Sequence, residues 1–403
     1  MAKAAPRSGA TLHLKPGRDK SLRQKHPGVF SGAVDRVDGD PQPGTTVAIV
    51  AVDGTLLGHA AYSPTSQIRA RVWSFDPRVA IDAAFFRRAI ERAAAARGPL
   101  QDASNTGCRL IHGEADGLPG IIADRYGDVV VVQLTSAGAE FWRATIVEAL
   151  VAVTGVACVY ERSDAEVRAL EGLPPVTGLV AGTLPEPVAF REDGLRYQVD
   201  VAHGQKTGFY LDQGDNRRAV RALAAGRNVL NVFCYTGGFT LAALAGGATR
   251  VTSLDSSAPA LALARLNLAA NPDLAADRAE WIEADAFAAL RKFRDAARTF
   301  DLIVLDPPKF APTAAQVERA SRAYKDINLW ALKLLAPGGL LATFSCSGGV
   351  DTELLRKIIA GAAVDAGADA AIVGRFGPSA DHPVSLAFPE GDYLKGFLIR
   401  KAM

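Results

Sequence analysis

The sequence predicts an α/β protein whose C-terminal half forms a Rossmann-like, doubly wound parallel sheet. From Leu195 onward, short apolar runs typical of buried strands alternate with runs of helical spacing. A glycine pair, Gly237-Gly238, follows the first of those strands and precedes a helix. The length of 403 residues is too great for one hydrophobic core, so two or three domains are expected.

The N-terminal region, residues 12–76, predicts a small β-barrel or sandwich. Turn residues recur from Pro16-Gly17 to Ser63-Pro64, and short β-prone runs such as 47–52 and 68–73 lie between them. An alanine- and arginine-rich segment over residues 83–97 then predicts a helix.

A small α+β domain is predicted next, from Cys108 to about Phe190. Two strands are expected within residues 121–132, with a turn at Gly127-Asp128. Residues 140–153 have helical spacing with an apolar face of Phe141, Ile146, Leu150 and Val153.

Two elements are predicted at the end of this domain. A strand over residues 156–160 is followed by a proline-rich stretch. Pro174 to Pro187 predicts a connector to the last domain. The expected domains are therefore residues 1–80, residues 81–190 with the linker helix, and residues 191–403.

The C-terminal domain is predicted from five strands and the helices between them. The strands are expected at residues 229–232, 251–254, 281–283, 302–305 and 340–344, and the helices at 241–245, 258–268 and 324–335. Ligands of such sheets bind at the C-terminal ends of the strands, near the point where the strand order reverses.

Charge is unevenly distributed, although the net charge is only +2. Residues 1–30 contain one acid, Asp19, and seven basic residues: Lys3, Arg7, Lys15, Arg18, Lys20, Arg23 and Lys25. A basic segment of this kind predicts contact with a polyanion such as a nucleic acid. A solvated terminus without a partner is the alternative.

Several classes are disfavoured by composition. No apolar run approaches the length of about 20 residues that spans a bilayer, and the N-terminus does not resemble a secretory signal. The cysteines Cys108, Cys158, Cys234 and Cys346 are widely spaced, which argues against a zinc site or a disulfide scaffold. A cytoplasmic protein with reduced thiols, no metal and no membrane partner is expected.

The loop around Gly237 predicts a nucleotide-like cofactor. Asp255 ends the second strand, where an acid accepts hydrogen bonds from ribose hydroxyls, and Asp285 follows the third, near an adenine edge. Because no third glycine completes a dinucleotide motif, S-adenosyl-L-methionine fits better than NAD. Cys234, inside the loop, is expected to be a small buried residue.

Longer motifs resemble a known family. Residues 203–213, 235–239, 306–310 and 345–347, with matching stretches at 20–22, 26–27, 29–34, 66–73, 381–383 and 393–397, are similar to the bacterial 23S rRNA large-subunit methyltransferase I family. Gly28 and Gly214 depart from the family pattern, where an aromatic residue and an arginine are expected.

This resemblance implies an N-terminal PUA RNA-binding domain, a central α+β domain and a class I methyltransferase domain. It implies 23S rRNA or the large ribosomal subunit as partner, 5-methylcytosine as product, and we also expect a homodimer. The matched motifs add Gln205, Tyr210, Asp212, Phe233, Tyr235, Thr236 and Asp306 to the cofactor-binding residues Gly237, Asp255 and Asp285.

Cys346 is the predicted nucleophile. Carbon 5 of cytosine becomes nucleophilic after a thiolate adds to carbon 6, and a helix predicted just after Cys346 favours the thiolate. An inert cysteine at a strand end is the alternative. Other RNA 5-methylcytosine enzymes commonly carry a second cysteine where this chain has Lys309, so Asp306 is the predicted proton-removing base and His382 the second candidate.

A target base must leave its stack to reach Cys346. Pro307-Pro308 provides an apolar wall, and Phe310 or Tyr393 a stacking face, unless these rings only pack in the core. Methylation of a guanine ring nitrogen is an alternative, but it needs no nucleophilic thiol. A non-catalytic rRNA-binding assembly factor is another, although it would not need the cofactor residues.

Overall fold

The computed structural model describes residues 9–310 and 316–403, and these form two compact units. The first unit contains the described residues up to Arg191, together with Val199–Tyr210 and Asp381–Gly391. The second contains Glu192–Gln198, Leu211–Ala380 and Asp392–Met403. Of the basic residues near the N-terminus, Lys3 and Arg7 lie outside the described residues.

The N-terminal part of the first unit is a six-stranded sheet with the strand order β2-β6-β5-β4-β1-β3. Alternate residues of β1 and β4 are buried, and they form a core with Val72 of β6. The β-rich prediction for this region is thus confirmed. The elements are β1 (Thr11–Leu14), α1 (Lys20–Arg23), β2 (Gly28–Phe30), β3 (Val34–Asp38), β4 (Thr46–Val50), β5 (Leu56–Tyr62) and β6 (Ile68–Ser74).

A five-stranded sheet with the order β11-β10-β9-β8-β7 follows in the same unit. Every residue of its central strand β9 is buried. The elements are α2 (Ala83–Arg97), β7 (Gly107–His112), β8 (Ile121–Tyr126), β9 (Val129–Leu134), α3 (Ala137–Phe141), α4 (Arg143–Thr154), β10 (Cys158–Ser163), α5 (Val167–Leu170) and β11 (Val176–Gly182). The predicted helix at residues 83–97 and the turn at Gly127-Asp128 are confirmed.

Two predictions for this region were wrong. The helix expected over residues 140–153 is interrupted at Trp142, between α3 and α4. α3 starts earlier than predicted, after the Ser136 cap, and Phe141, expected on the apolar face, is 42% exposed. The proline-rich connector contains strand β11, which pairs antiparallel with β10. Its half-exposed residues give no strong apolar pattern, which is why the sequence did not reveal a strand.

Two residues of the N-terminal sheet belong to the core of the five-stranded sheet. Trp73 of β6 packs edge-on against Phe86 of α2, and a side chain at Gly138 of α3 would collide with Ala61 and Trp73. Removal of the N-terminal sheet would therefore expose apolar surface of this second core as well as its own.

The second unit is built on a seven-stranded sheet with the order β16-β15-β14-β17-β18-β20-β19. β14 to β18 are parallel, as predicted, but β20 runs antiparallel to β18 and β19 antiparallel to β20. The strands are β14 (Asn228–Val232), β15 (Arg250–Asp255), β16 (Ala279–Glu283), β17 (Phe300–Leu305), β18 (Leu335–Ser345), β19 (Ala370–Phe376) and β20 (Lys395–Lys401).

Helices alternate with these strands as predicted. They are α6 (Gly214–Leu223), α7 (Gly238–Ala245), α8 (Ala258–Ala269), α9 (Ala286–Asp295), α10 (Val317–Leu334) and α11 (Thr352–Ala366). Residues of α9, α10 and α11 share one core with the central strands. β12 (Val188–Glu192) and β13 (Leu195–Val199) pair separately as a two-stranded sheet. Among the described residues, no helix has the length and apolar character needed to cross a membrane.

Candidate active site

The parallel strands of the second unit bring the predicted site segments to one edge of the sheet. Val232 lies opposite Leu254 on one side and Leu305 on the other. Leu305 in turn lies opposite Thr343 of β18. The residues that follow these strands, including Asp255 and Asp306, therefore emerge at the same edge, on both sides of the reversal in strand order between β14 and β17.

The loop after β14 has a tightly wound backbone. Phe233, Tyr235 and Gly237 all have positive φ, at 62°, 47° and 84°. At Gly237 a Cβ atom would lie 3.1 Å from the Trp281 ring and 3.2 Å from Ala264, so glycine is required by conformation and by space. Left-handed non-glycine residues are costly and concentrate at functional sites.

Asp255 connects this loop to the next two strands. Its Oδ2 accepts a hydrogen bond from the Tyr235 amide at 2.8 Å, and its Oδ1 accepts one from the Ser257 amide at 2.9 Å. The Ala284 amide donates to the Asp255 carbonyl at 3.0 Å. Each carboxylate oxygen has a second lone pair, so Asp255 can also accept hydrogen bonds from a ribose.

Two further residues of the predicted cofactor set lie along this edge. Thr236 is 2% exposed, and its hydroxyl has no hydrogen-bond partner within the part of the chain that the structure describes. A bound ligand can satisfy a buried hydroxyl of this kind, so the residues present are compatible with a nucleoside cofactor. Asp285 is exposed and caps α9 by accepting from the Ala288 amide at 2.9 Å.

Three other predicted cofactor residues, Asp212, Tyr210 and Gln205, take part in two separate hydrogen-bonded pairs. In the second unit, the Tyr393 hydroxyl donates to Oδ2 of the buried Asp212 at 2.6 Å. In the first unit, the Tyr210 hydroxyl donates to the Gln205 side chain. Lys206 places its ammonium group 4.3 Å from the centre of the Tyr210 ring. Tyr393, predicted as a stacking face, thus has a hydrogen-bonding role as well.

Cys346 follows the last residue of β18 and is half-buried. The Tyr324 hydroxyl of α10 lies 3.0 Å from Oγ of both Ser345 and Ser347, on either side of the cysteine. Helix α11 begins at Thr352, a few residues later, which confirms the predicted helix start.

Lys395 provides a second anchor for the segment after the cysteine. It begins β20 opposite Ser345, and its ammonium group donates to the carbonyls of Ser347 at 3.0 Å and Val350 at 2.6 Å. Neither Tyr324 nor Lys395 was a candidate site residue from the sequence. Lys395 lies inside a family-like motif, but only the fold brings it beside Cys346.

The pKa values of these groups are coupled to the thiol. Burial raises the pKa of Tyr324, and the nearby Cys346 and Asp306 raise it further. Burial lowers the pKa of Lys395, whereas Asp392, Cys346 and Asp351 act to raise it. Cys346 and Asp306 therefore lie within electrostatic range of a buried phenol, and Cys346 within range of a buried amine.

Cys234 has a different environment, and its prediction as a small buried residue is confirmed. It is 5% exposed, and burial raises its pKa well above that of an ordinary thiol, with a further contribution from Asp255. A protonated, enclosed thiol is a poor nucleophile.

Phe310 is half-buried among aromatic rings. It contacts Tyr324, Phe287 and Phe233 at ring-centre distances of 4.9, 6.1 and 6.4 Å. A cavity of about 350 Å³ opens beside it, lined among others by Phe287, Lys309 and Arg319. Phe310 thus packs against other aromatic rings and also borders a cavity lined by the cationic side chains of Lys309 and Arg319.

His382, the second candidate base, is buried in the first unit. Its Nδ1 lies 2.7 Å from Oδ1 of Asp381, and its ring contacts that of His112 at 5.0 Å. This environment is typical of a structural histidine. No group of three metal-ligating side chains is placed to hold an ion anywhere in residues 9–310 and 316–403.

Comparisons with known proteins identify the fold and the family. The family model for S-adenosylmethionine-dependent methyltransferases matches residues 175–366, and the model for PUA-like domains matches residues 12–75. A Streptococcus mutans protein described as an S-adenosylmethionine-dependent methyltransferase superposes with a TM-score of 0.83 at 24% identity, covering 97% of this chain and 99% of that one. Another solved methyltransferase, in complex with SAH, superposes with a TM-score of 0.84 at the same identity and coverage.

The fold and the two family-model matches therefore define a class I, S-adenosylmethionine-dependent methyltransferase with an N-terminal PUA-like domain. Ribosomal RNA large subunit methyltransferase I of Shewanella amazonensis is 51% identical over 391 residues, covering 96% of this chain and 98% of the relative. The protein of the same name from Cronobacter sakazakii is 50% identical over 388 residues. The chain belongs to the ribosomal RNA large subunit methyltransferase I family.

Proposed function

We propose that this protein methylates carbon 5 of a cytosine in large-subunit rRNA, through a covalent bond between Cys346 and the base. The name of its relatives supplies the substrate class. The observation that carries the chemistry is the position of Cys346 directly after β18. β18 neighbours β17, which Asp306 follows, and β17 lies between β18 and β14, the strand that precedes the cofactor loop.

Cys346 performs the first step as a thiolate. Its sulfur adds to carbon 6, and the electron pair of the carbon 5–carbon 6 double bond becomes available at carbon 5. Carbon 5 uses that pair to bond the methyl group that S-adenosylmethionine would supply, because a sulfonium can release a methyl group and keep the bonding electrons as a neutral thioether. Tyr324 supports this step because its contacts to Ser345 and Ser347 hold both neighbours of the cysteine.

Asp306 performs the second step as a carboxylate. It accepts the proton of carbon 5, the released electron pair restores the double bond, and the bond between sulfur and carbon 6 breaks to regenerate the thiolate. Asp306 is half-buried at the strand end, and the register of β17 against β18 supports a position close to Cys346. Solvent then takes the proton from Asp306.

The RNA is contacted by the N-terminal domain and by the surface beside Phe310. Lys15, Arg18 and Lys20 are exposed beside the first strands, where they can neutralise phosphates. A flipped base needs an apolar wall and a stacking face. Phe310 and the cavity lined by Lys309 and Arg319 supply a ring with adjacent cations.

The test is to map modified bases in rRNA. We expect mass spectrometry of rRNA from a strain lacking this protein to lose one 5-methylcytosine. The wild-type gene should restore the modification, a Cys346→Ala gene should not, and a Cys234→Ala gene should serve as the matched control. Loss of a methylated guanine instead, or no loss from the rRNA, would contradict the proposal.

A further inference from the structure

A buried lysine lies beside the loop that carries Cys346. Lys395 is 7% exposed, and its ammonium group donates to the carbonyls of Ser347 and Val350 at 3.0 and 2.6 Å. A charged group buried to this degree is expensive unless partners compensate it. Two carbonyl dipoles compensate part of the cost, and an anion compensates more.

Cys346 is the thiol placed to supply that anion. Ser345, opposite Lys395 in the β18–β20 pairing, directly precedes the cysteine, and Ser347, which accepts from the ammonium, directly follows it. The coupling is reciprocal: an anion on Cys346 raises the pKa of Lys395, so the positive charge of Lys395 stabilises the anion by the same free energy.

We propose that Lys395 is a positioning residue for Cys346, which fixes the backbone of residues 346–350 and supplies the positive charge that holds the sulfur as a thiolate. This inference rests on the proposed role of Cys346 as nucleophile. The thiol proton passes to solvent, and Lys395 keeps its own proton throughout the reaction.

Other charged or titratable groups surround this pair and contribute to its balance. Asp351 and Asp392 favour the charged lysine, and Lys309 opposes it. Tyr324 is coupled to both Cys346 and Asp306. The start of α11 adds the positive end of a helix dipole. Lys395 and that dipole both stabilise a thiolate at Cys346, whereas the nearby carboxylates destabilise it.

The chain contains a matched control on the same strand. Lys401 also donates to two backbone carbonyls, those of Leu332 and Leu335, at 3.0 and 2.7 Å. Burial lowers its pKa as well. Lys401 therefore resembles Lys395 in its backbone contacts. The difference is that burial, without a contribution from Cys346, accounts for the lowered pKa of Lys401.

The experiment measures the rate of alkylation of Cys346 by iodoacetamide against pH, on the full-length protein, with each cysteine followed by mass spectrometry. The rate reports the thiolate fraction. Lys395→Met removes charge and donors, whereas Lys395→Gln removes the charge but keeps an N–H donor. Both should raise the apparent pKa of Cys346 by about one unit or more, which slows alkylation about tenfold near neutral pH.

Lys401→Met should leave the apparent pKa of Cys346 unchanged. Normal reactivity in the Lys395→Gln variant would show a purely structural anchor and overturn the inference. Calorimetric binding of S-adenosylmethionine checks that each variant is folded. If neither Lys395 variant folds, titration of the wild type decides: an apparent pKa for Cys346 at or above that of an ordinary thiol overturns the inference.

Failure of this inference and failure of the proposed function give different results. Alkylation involves only the thiol and its surroundings, without RNA. If the enzyme forms a covalent adduct with cytosine but the pKa of Cys346 is the same in the wild type and the Lys395 variants, only the inference is contradicted. A thiol pKa that depends on Lys395, in an enzyme that forms no adduct with cytosine, would contradict the proposed function alone.

Discussion

Two thiols of the same sheet, Cys234 and Cys346, differ in almost everything except their place after a parallel strand. Cys234 follows β14, is 5% exposed, and has its pKa raised by burial and by Asp255. Cys346 follows β18, is half-buried, and lies within electrostatic range of the ammonium group of Lys395.

This difference shows that the surroundings, rather than the position at a strand end, determine what a thiol can do. The loop of Cys234 is organised by a carboxylate that accepts backbone amides, an arrangement suited to holding a ribose. The loop of Cys346 is organised by a phenol and an ammonium group, which suit an anion. These surroundings suit the first loop to the proposed cofactor site and the second to the proposed nucleophile.

The largest effect is expected when each of the two cysteines is replaced by alanine in a separate variant. Cys346→Ala should reduce the rate of methyl transfer by at least about a thousandfold, because a covalent step without its nucleophile cannot proceed. Cys234→Ala should retain activity within about twofold. Single-turnover rates on rRNA, with cofactor affinity measured in parallel, check both variants. An active Cys346→Ala enzyme would remove the distinction between the thiols.

A second effect should appear in the intact protein. Near neutral pH, iodoacetamide should alkylate Cys346 about a hundredfold faster than Cys234, because the raised pKa and the burial of Cys234 suppress its thiolate. The rate at Cys234 should continue to rise above the ordinary thiol pKa. Labelling in denaturant, where both thiols are exposed, is the control. Equal rates in the folded protein would contradict the comparison.

A third effect separates the cofactor loop from the nucleophile loop. Asp255→Ala should weaken S-adenosylmethionine binding by ~1–3 kcal/mol, because a hydrogen bond to the ribose is lost, while alkylation of Cys346 stays unchanged. Asp255→Asn tests the contribution of charge alone. Asp277→Ala, an exposed acid of the same unit, is the control. Unchanged affinity in calorimetry would show that Asp255 is not the ribose acid.

The smallest effect should come from the basic segment, far along the chain from both thiols. Combined Lys15→Gln, Arg18→Gln and Lys20→Gln should raise the Michaelis constant for rRNA several-fold at moderate salt, because fewer counterions are released on binding. The slope of log affinity against log salt should fall by up to about 3. The pair Arg356→Gln and Lys357→Gln on α11 is the control. A salt slope equal to that of the wild type would exclude the segment from RNA binding.

Substitution is the better test here because the N-terminal sheet cannot be removed cleanly. Arg71 of β6 pairs with the buried Glu171 at 2.6 Å, and Ser63 donates to the same carboxylate at 2.6 Å. Deletion of the sheet would leave that buried charge without its cationic partner, which is strongly destabilising.

Much of the fold could be predicted because its strands are continuous apolar runs. The run at 302–305 predicted β17, since a strand buried on both faces carries apolar residues at every position. The edge strand β19 was not predicted, because most of its residues are exposed and lack that pattern. β11 was missed for a similar reason.

The candidate site could be predicted only where local sequence carries it. Asp255, Asp306 and Cys346 each follow an apolar strand, so their approach to one edge follows from the parallel sheet. Tyr324 and Lys395 belong to distant segments, and only the packing of α10 and the antiparallel pairing of β20 bring them to the cysteine. No local pattern specifies that pairing.

The central claim, that Cys346 and not Cys234 attacks carbon 6 of cytosine, is tested most directly with RNA that carries 5-fluorocytosine at the target. Fluorine cannot be removed as a proton, so the enzyme should remain bound to the RNA after methyl transfer. We expect peptide mapping to find the nucleotide on Cys346 in the wild type and in Cys234→Ala. An adduct on Cys234, Cys108 or Cys158, or turnover of the RNA without an adduct, would contradict the account.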